Sequence, residues 1–507
     1  MKTSRIVSIA AAGASLVAVP AASAATAAPP LAFGPPVSVP VPAGGYRGVD
    51  VATGPDGDAL VAFSRSGDGR IVVRDIDGPR GPIGAAQVLP IAGAATPLLN
   101  ARGDAAVVVR SGDALALRVR RAGSRRWAEV APPPPGARAF ALAPSGSLDA
   151  VVVATEPAGG QSVSVARLVG RSWVVTPALT VPGTDVNVTV AIAPGGGAVA
   201  AWVGHREGTV TAAVRPAGAA AFEPPVELTP AVPGGHFFPD LDARIAADGG
   251  ASVAWRGVSA AVPTGFAIRP PGAAAFAAPV AVADVGDQPT TPRVAFAPGG
   301  AATAAWADSS GTLRGLDRPA QGGDWTAAPF AGQGGVRWAR DAWIDRAGGA
   351  VVLAGTDEVS RGSSRAIVSN GTSAPVRSLA LGSYSGVPAL RPLPGGVLLV
   401  EPADDIAGLR TTLRLIGVDR LGPVGLSAPA TARRARTVAI RVNLWRPSRV
   451  TVGLGARRVT RNLPAGRSSV RLTAPPRAGS YRVTAVARER IGGKRLLRQQ
   501  SPIRVIR

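Results

Sequence analysis

The chain of 507 residues contains no cysteine. That absence excludes a disulfide framework, a thiol nucleophile, cysteine-ligated zinc and iron–sulfur clusters. Histidine occurs only as His205 and His236, which leaves little for a histidine metal cage or a Ser-His-Asp hydrolase. Lysine is confined to Lys2 and Lys494, so arginine supplies nearly all the positive charge. Aromatic residues make up 4% of the chain, and tyrosine occurs three times. No Walker loop, dinucleotide fingerprint or HExxH sequence is present, so neither a cofactor nor a metal is expected. Acidic residues are missing from one region above all. Residues 424–507 hold 20 of the 55 Lys and Arg but one of the 32 acids, Glu489, which puts +19 of the +23 net charge there.

The N-terminus has the pattern of a secretory signal. Lys2 and Arg5 form a positive start, Ile6 to Ala18 an apolar run, and Ala22-Ser23-Ala24 a small-x-small cleavage site. Residues 1–24 are therefore expected to be removed and the protein exported, secreted or held at the cell envelope. No later window approaches ~18 uninterrupted apolar residues, so no membrane span is expected after cleavage.

What is present is a repeat. Val190–Val203 reads VAIAPGGGAVAAWV, Ala243–Trp255 reads ARIAADGGASVAW and Val294–Ala307 reads VAFAPGGAATAAWA. Each is a short apolar strand, a glycine turn and a second strand ending near Trp202, Trp255 or Trp306. A second half follows, RPAGAAAFEPPV at Arg215–Val226 and RPPGAAAFAAPV at Arg269–Val280. Alternating runs bounded by Gly, Pro and Asp read as strands joined by hairpins. The turn glycine recurs at Gly57, Gly103, Gly146, Gly196, Gly249, Gly300, Gly348 and Gly396, at spacings of 43 to 53 residues. Eight units of four short strands predict an all-β, eight-bladed β-propeller over residues 25–423, with seven blades as the alternative if units two and three are misparsed.

The ends of the repeat also match. Phe33–Val39, FGPPVSV, has the pattern of the fourth strand at Phe222–Leu228, FEPPVEL. The eighth unit, from about Tyr384 to Leu421, lacks a fourth strand. Residues 32–40 are expected to supply it and so close the ring. Two aromatic positions recur: Phe63, Trp202, Trp255 and Trp306 in second strands, and Phe33, Trp127, Trp173, Phe222, Phe276 and Trp325 just before fourth strands. Residues repeated unit after unit are expected to pack between neighbours rather than bind a ligand.

Residues 424–507 break the repeat. Thr437–Trp445 places Val438, Ile440, Val442 and Leu444 on one face. Arg449–Leu454, Ser468–Thr473, Ser480–Arg488 and Ile503–Ile506 are further strand candidates. Five to seven short strands predict a small β-sandwich. The stretch AGSYRVTAVA at Ala478–Ala487 resembles the late strand of bacterial immunoglobulin-like and fibronectin-III-like modules, a resemblance that implies a spacer or adhesive appendage. Residues 32–423 resemble the Ala/Gly/Pro-rich propeller-repeat proteins that bacteria export. That resemblance implies a sialidase-like architecture but no shared activity. The Asp-box of sialidases, Ser-x-Asp-x-Gly-x-Thr-Trp, is absent, and Asp324-Trp325-Thr326 lacks its order. Asp56-Gly57-Asp58 and Asp75-x-Asp77-Gly78 are too short for calcium loops and read as ordinary turns.

Propeller ligands commonly sit on the face formed by loops into first strands and loops out of second strands. Tyr46, Arg47, His236, Phe237, Asp240, Arg337, Trp338, Arg340 and Tyr384 fall in the former, and His205 and Glu207 in the latter. Rings that stack and charges that orient suit a glycan or another polar ligand, so these are the candidate ligand-binding residues. In the basic module Arg441, Trp445, Arg457, Arg458, Arg461, Arg482, Arg488, Arg490, Lys494 and Arg495 are the candidate polyanion-binding residues. Codons for Ala, Gly, Pro and Arg are GC-rich, and codon bias acts on both halves alike, yet acids are missing only from the tail. No sequence-reading nucleic-acid motif is present. The expected function is therefore an exported non-enzymatic binding or scaffold protein. Its ring face would bind a glycan or protein, and its basic module would dock to an anionic polymer or the envelope. The alternatives are a sialidase-like glycoside hydrolase using Tyr46 or Tyr384 with Glu207 and Asp240, and a purely structural envelope protein.

Overall fold

The computed structural model describes residues 31 to 506 apart from short segments, chiefly loops, among them 205–207, 231–239, 283–289, 356–362, 384–387, 405–409, 445–447 and 490–494. The described residues form an all-β, propeller-like arrangement of repeated antiparallel sheets. Units two to seven make six separate sheets of four strands each, the sixth unit with a fifth short strand, Gln333–Gly334. Units one and eight share a nine-stranded sheet, joined where Tyr46 pairs with Arg410.

The hairpin between first and second strands has one geometry in units two and four to seven. In unit four the Ala193 N–H donates to the Gly197 carbonyl at 2.7 Å and the Gly196 N–H to the Ala193 carbonyl at 2.8 Å. Ala246, Gly249 and Gly250 repeat this in unit five, and Ala297, Gly300 and Ala301 in unit six. These are three-residue loops, a type I turn followed by a left-handed residue. Gly196, Gly249 and Gly300 supply that residue, with φ of +81°, +88° and +90°. Gly103 and Gly348 hold the same left-handed place in units two and seven, where a side chain would be strained, whereas Gly396 of unit eight is a correction: it opens the second strand, paired with Leu393, and is not a turn residue.

Second strands of units one, two and four to eight are buried on both faces, which explains their nearly unbroken apolar runs. In Ala198–Gly204, Ala198, Ala200 and Trp202 face the third unit beside Val163, Val165 and Val181. Val199, Ala201 and Val203 face the fifth unit beside Val253 and Trp255. Similar clusters link unit one to two through Leu60, Val73 and Val107, and unit two to three through Leu117 and Trp173. Phe266 and Val294 join units five and six, and Phe330 and Val352 join six and seven. Leu353 and Leu399 join seven and eight, and Leu398, Val61 and Phe63 join eight to one. The recurrent aromatics lie in these clusters as expected, with Phe63, Trp202, Trp255 and Trp306 buried and the pre-fourth-strand set partly buried.

The N-terminal residues pair where the repeat pattern points. Leu31–Phe33 runs antiparallel to Val418–Arg420, and Val37–Val39 to Leu413–Leu415, on the outer edge of the strand Arg410–Arg420. Leu31 is fully buried between units seven and eight. Its N–H donates to the Asn370 side-chain carbonyl, and its own carbonyl accepts from the Asn370 amide at 3.4 Å.

Residues 425–506 form two sheets. Gly425–Ser427, Thr437–Leu444 and Gly466–Thr473 make one. Thr431–Arg433, Arg495–Ile506, Gly479–Glu489, Ser448–Leu454 and Arg457–Leu463 make the other. Val438, Ile440, Val442, Val470 and Leu472 pack against Val450, Val452, Leu454, Val483, Ala485, Ile503 and Val505. The period-2 reading identified every strand that contributes heavily to this core. It missed Gly425–Ser427 and Thr431–Arg433, each three residues long, and Arg457–Leu463, an edge strand whose residues are exposed or half-buried, and it found only the last four residues of Arg495–Ile506.

Candidate functional site

First strands of neighbouring units pack on one another. Leu241–Ile245 lies against Arg293–Phe296, which lies against Trp338–Ile344, then Ala389–Leu393, then Tyr46–Thr53. Exposed Val88, Val174 and Val226 sit on fourth strands, so first strands form the inner side and fourth strands the outer. One position in the first strand is polar in most units. Asp50, Thr96, Thr189, Asp242, Arg293 and Asp341 each stand seven residues before their unit's turn glycine. Each also occupies the same register step from its hairpin: Asp50 pairs with Ala62, Asp242 with Ala254, Arg293 with Ala305 and Asp341 with Leu353.

These residues meet. Arg244 donates from Nε to Asp242 Oδ2 at 2.9 Å and from Nη1 to Asp341 Oδ1 at 2.9 Å. Asp242 also faces Arg293 Nη1 at 3.4 Å, and Asp341 Oδ2 accepts the Leu390 N–H at 3.2 Å. Next in the arc, Arg391 donates from Nε to the Val51 carbonyl at 2.8 Å and pairs with Asp50. Asp50 and Asp341 each also accept the following N–H, of Val51 at 2.7 Å and Ala342 at 2.9 Å. Burial alone would lower the Arg244 pKa, but the two carboxylates outweigh it and hold it above its ordinary value.

Arg340 sits differently. The register slips between Ala339 and Asp341, so Arg340 is the extra residue of a β-bulge. Bulges re-aim side chains. Here Ala339 and Ala342 both pack into the cluster with unit six, and Arg340 and Asp341 stand together between them. The Arg340 guanidinium carbon lies 5.3 Å from the centroid of the Trp338 ring. Burial, then repulsion from Arg293, lowers its pKa, against attraction from Asp341. Arg47 occupies a matching bulge in unit one, between Tyr46 and Gly48, and is exposed.

Of the residues expected on this face, Trp338 and Arg340 come together, with Arg337 exposed beside them and its N–H donating to Gly355. Asp240 is exposed. Tyr46 is a correction: it is only 1% exposed and packs edge-on against Phe63 at 5.1 Å, a core ring rather than a ligand contact or a nucleophile. Loop residues were expected to be accessible, but Tyr46 opens a strand, and its ring fills the cluster between units eight and one. His205, Glu207, His236, Phe237 and Tyr384 lie outside the described residues. Sequence reading passed over Asp50, Asp242, Arg244, Arg293 and Arg391. The signal for Asp50, Asp242 and Arg293 was a polar residue at one fixed step before the marker glycine, in strands that are otherwise mostly Ala, Val and Ile, and Arg244 and Arg391 lie two residues nearer that glycine. Among the described residues, no group of three or more His, Asp or Glu is arranged to hold a metal.

In the basic module Arg441 and Arg471 are exposed on the three-stranded sheet. Arg449, Arg457, Arg458, Arg461, Arg482 and Arg504 are exposed on the five-stranded sheet. The charge thus covers both sheets rather than one stripe. Trp445, Arg490 and Lys494 lie outside the described residues, as do the side chains of Arg488 and Arg495.

No family model matches the chain, and no curated protein does. Among solved structures, the chain is similar to polysaccharide lyase Uly1 at 9% identity and a TM-score of 0.41, covering 72% of this chain and 88% of that one. It is similar to the WD40 domain of SCAP from fission yeast at 11% identity and a TM-score of 0.41, covering 76% and 94%. It is similar to the β-propeller domain of the Trilobed protease from Pyrococcus furiosus at 8% identity and a TM-score of 0.40, covering 65% and 96%.

Proposed function

We propose that the protein is an exported, non-enzymatic binding protein. Residues 25–423 are read as an eight-bladed propeller closed by its N-terminal strand, and residues 424–507 as a basic immunoglobulin-like module. The inner-rim face takes a glycan or protein ligand, and the module docks the molecule to an anionic envelope polymer. Support for the closed ring is the sequence of apolar clusters that runs from each unit to the next and from the eighth back to the first. The observation that carries the docking reading is the contrast in how arginines are neutralised. In the propeller Arg120 meets Asp75 twice at 2.6 Å, and Arg269 meets Glu223 at 2.6 and 3.0 Å. In the module a single acid stands against twenty cations, so its charge cannot be neutralised from within. Such a surface draws polyanions without demanding one geometry.

A hydrolase needs carboxylates free to act as acid and base or nucleophile. Asp242 and Asp341, carboxylates of inner first strands, are both held by Arg244.

The test is co-sedimentation with purified cell envelopes over a salt series, comparing the full chain with one in which Arg441, Arg458, Arg461 and Arg471 are replaced by Gln. The expected result is binding at low salt that weakens as salt rises, and that the substitutions weaken further. Equal binding of the two proteins at every salt concentration would reject the docking role.

A further inference from the structure

We propose that the C-terminal module is a bridge: its two outer faces each take a separate chain of a linear polyanion, so that one molecule ties two anionic envelope polymers together. The bridge rests on the docking reading above and goes beyond it in the number of chains held. Strand register sorts the arginines. In the three-stranded sheet Val438 pairs with Leu472 and Ile440 with Val470, all four buried, so Arg441 and Arg471 alternate onto the outer face, where both are exposed. Arg441 pairs with Ser469, two residues from Arg471, which makes the two arginines diagonal neighbours. In the five-stranded sheet Val450, Val452 and Leu454 pair with Ala487, Ala485 and Val483 in the core. Arg449 alternates with these and is exposed on the outer face, and Arg458, paired with Gly453, shares that face. Between them the Thr451 and Thr460 hydroxyls meet at 2.9 Å. Arg482 pairs with Pro502, two residues from the exposed Arg504, and so forms a second diagonal pair. Arg457 and Arg461 are placed differently. They pair with the core residues Leu454 and Val450, at the open edge of the sheet. Charge on an edge strand blocks pairing with other strands, which accounts for these two without a ligand.

Like charges on neighbouring strands cost stability. The module has one acid, Glu489, against twenty cations, so both faces carry charge that nothing inside the module can neutralise. Charge complementarity therefore selects a polyanion, whose oxygens suit the arginine fork. Geometry then selects two chains. The inner faces of the two sheets fill one apolar cluster, so the outer faces point away from each other. Packed sheets stand about 10 Å apart. That distance, before the arginine stems are added, already exceeds the Debye length of about 8 Å at physiological ionic strength. An anionic chain on one face thus leaves the charge of the other face largely unscreened and open to a second chain.

The experiment mixes the full chain with long-chain inorganic polyphosphate, reading binding by isothermal titration calorimetry and bridging by light scattering. Two charge-matched variants stand beside it: Arg441→Glu with Arg471→Glu on the three-stranded face, and Arg457→Glu with Arg461→Glu at the edge. Melting temperatures confirm that each folds. If the first pair does not, Arg449→Glu with Arg458→Glu, on the opposite face, carries the test. Wild type is expected to bind and to scatter, and added salt to abolish both. The face variant should still bind through its other face but scatter no more than the polymer alone. Exposed ion pairs are individually weak, so its binding should fall on the order of tenfold or less. The edge variant should bind and scatter like wild type. Binding of wild type without scattering would mean that one chain occupies the module, and the bridge falls while docking stands. A face variant that still scatters, or an edge variant that loses scattering as fully, would assign the effect to other surfaces or to net charge and overturn the bridge. If wild type does not bind at all, docking and bridge fall together.

Discussion

Arg244 of the fifth unit reaches past the sixth to Asp341 of the seventh, with 2.9 Å between Nη1 and Oδ1. The side chains are 28% and 19% exposed. The pair therefore lies between an exposed ion pair, worth little, and a fully buried one, whose disruption is costly. Asp341→Asn removes the charge but keeps an acceptor for the Leu390 N–H, and it is expected to cost about 2 kcal/mol. Urea unfolding measures this. A double-mutant cycle with Arg244→Gln should return a coupling of about 1 kcal/mol or more. Additive effects would show that the two residues do not support each other.

Asp317 predicts a pH effect of definite sign. Burial raises its pKa above the ordinary 3.8, and the Thr303 hydroxyl, donating at 2.6 Å, opposes that shift. A carboxyl with a raised folded value binds its proton more tightly folded than unfolded. Its contribution therefore favours folding below the ordinary value, declines as pH climbs through the raised value, and leaves a deficit at neutral pH. Asp317→Asn retains an acceptor for Thr303 and cannot ionise. It is expected to be more stable than wild type at pH 7, with the advantage shrinking toward about pH 3. A variant less stable than wild type at pH 7 would mean that the ionised carboxylate is not the strained group.

Two glycines separate backbone strain from steric conflict. Gly249 has φ of +88°, and a Cβ there would meet nothing within 4 Å. Gly249→Ala is expected to cost about 1–2 kcal/mol from conformation alone. At Gly355 the added Cβ would overlap the Trp338 ring. Gly355→Ala should therefore cost more and move the ring on which Arg340 stacks, changing the near-ultraviolet circular dichroism, whereas Gly249→Ala leaves that spectrum unchanged. Equal costs and equal spectra would contradict the close packing of Trp338 on Gly355.

The turn glycines were legible because one hairpin geometry requires a left-handed residue at one place, and Gly196, Gly249 and Gly300 fill it. The sandwich core was legible because Val438, Ile440 and Val442 alternate with exposed neighbours. The inner polar belt was not, although Asp50, Asp242, Arg293 and Asp341 share one distance from the turn glycine. A single polar residue in an apolar strand reads as its solvent face, and only the packing of first strands on one another shows that these residues face a common interior. Tyr46 misled for the opposite reason. Its place ahead of the first unit's alternating run reads as a loop, but it opens the strand and its ring lies in the cluster between units eight and one.

The N-terminal strand yields the sharpest structural prediction. Leu31–Phe33 and Val37–Val39 cover the outer edge of Arg410–Arg420, the longest strand in the repeat. Without them that edge exposes unpaired N–H and C=O groups, and the cluster between units seven and eight loses Leu31. Leu31→Ala removes a fully buried side chain and is expected to cost about 3 kcal/mol. Deleting residues 31–40 should do more, turning a single cooperative melt into a broad one and driving self-association on size-exclusion chromatography. A peptide of residues 31–40 added in excess should reverse both effects, because the edge it fills is the same. A deletion that melts and elutes like wild type would show that the eighth unit is stable without its outer strand.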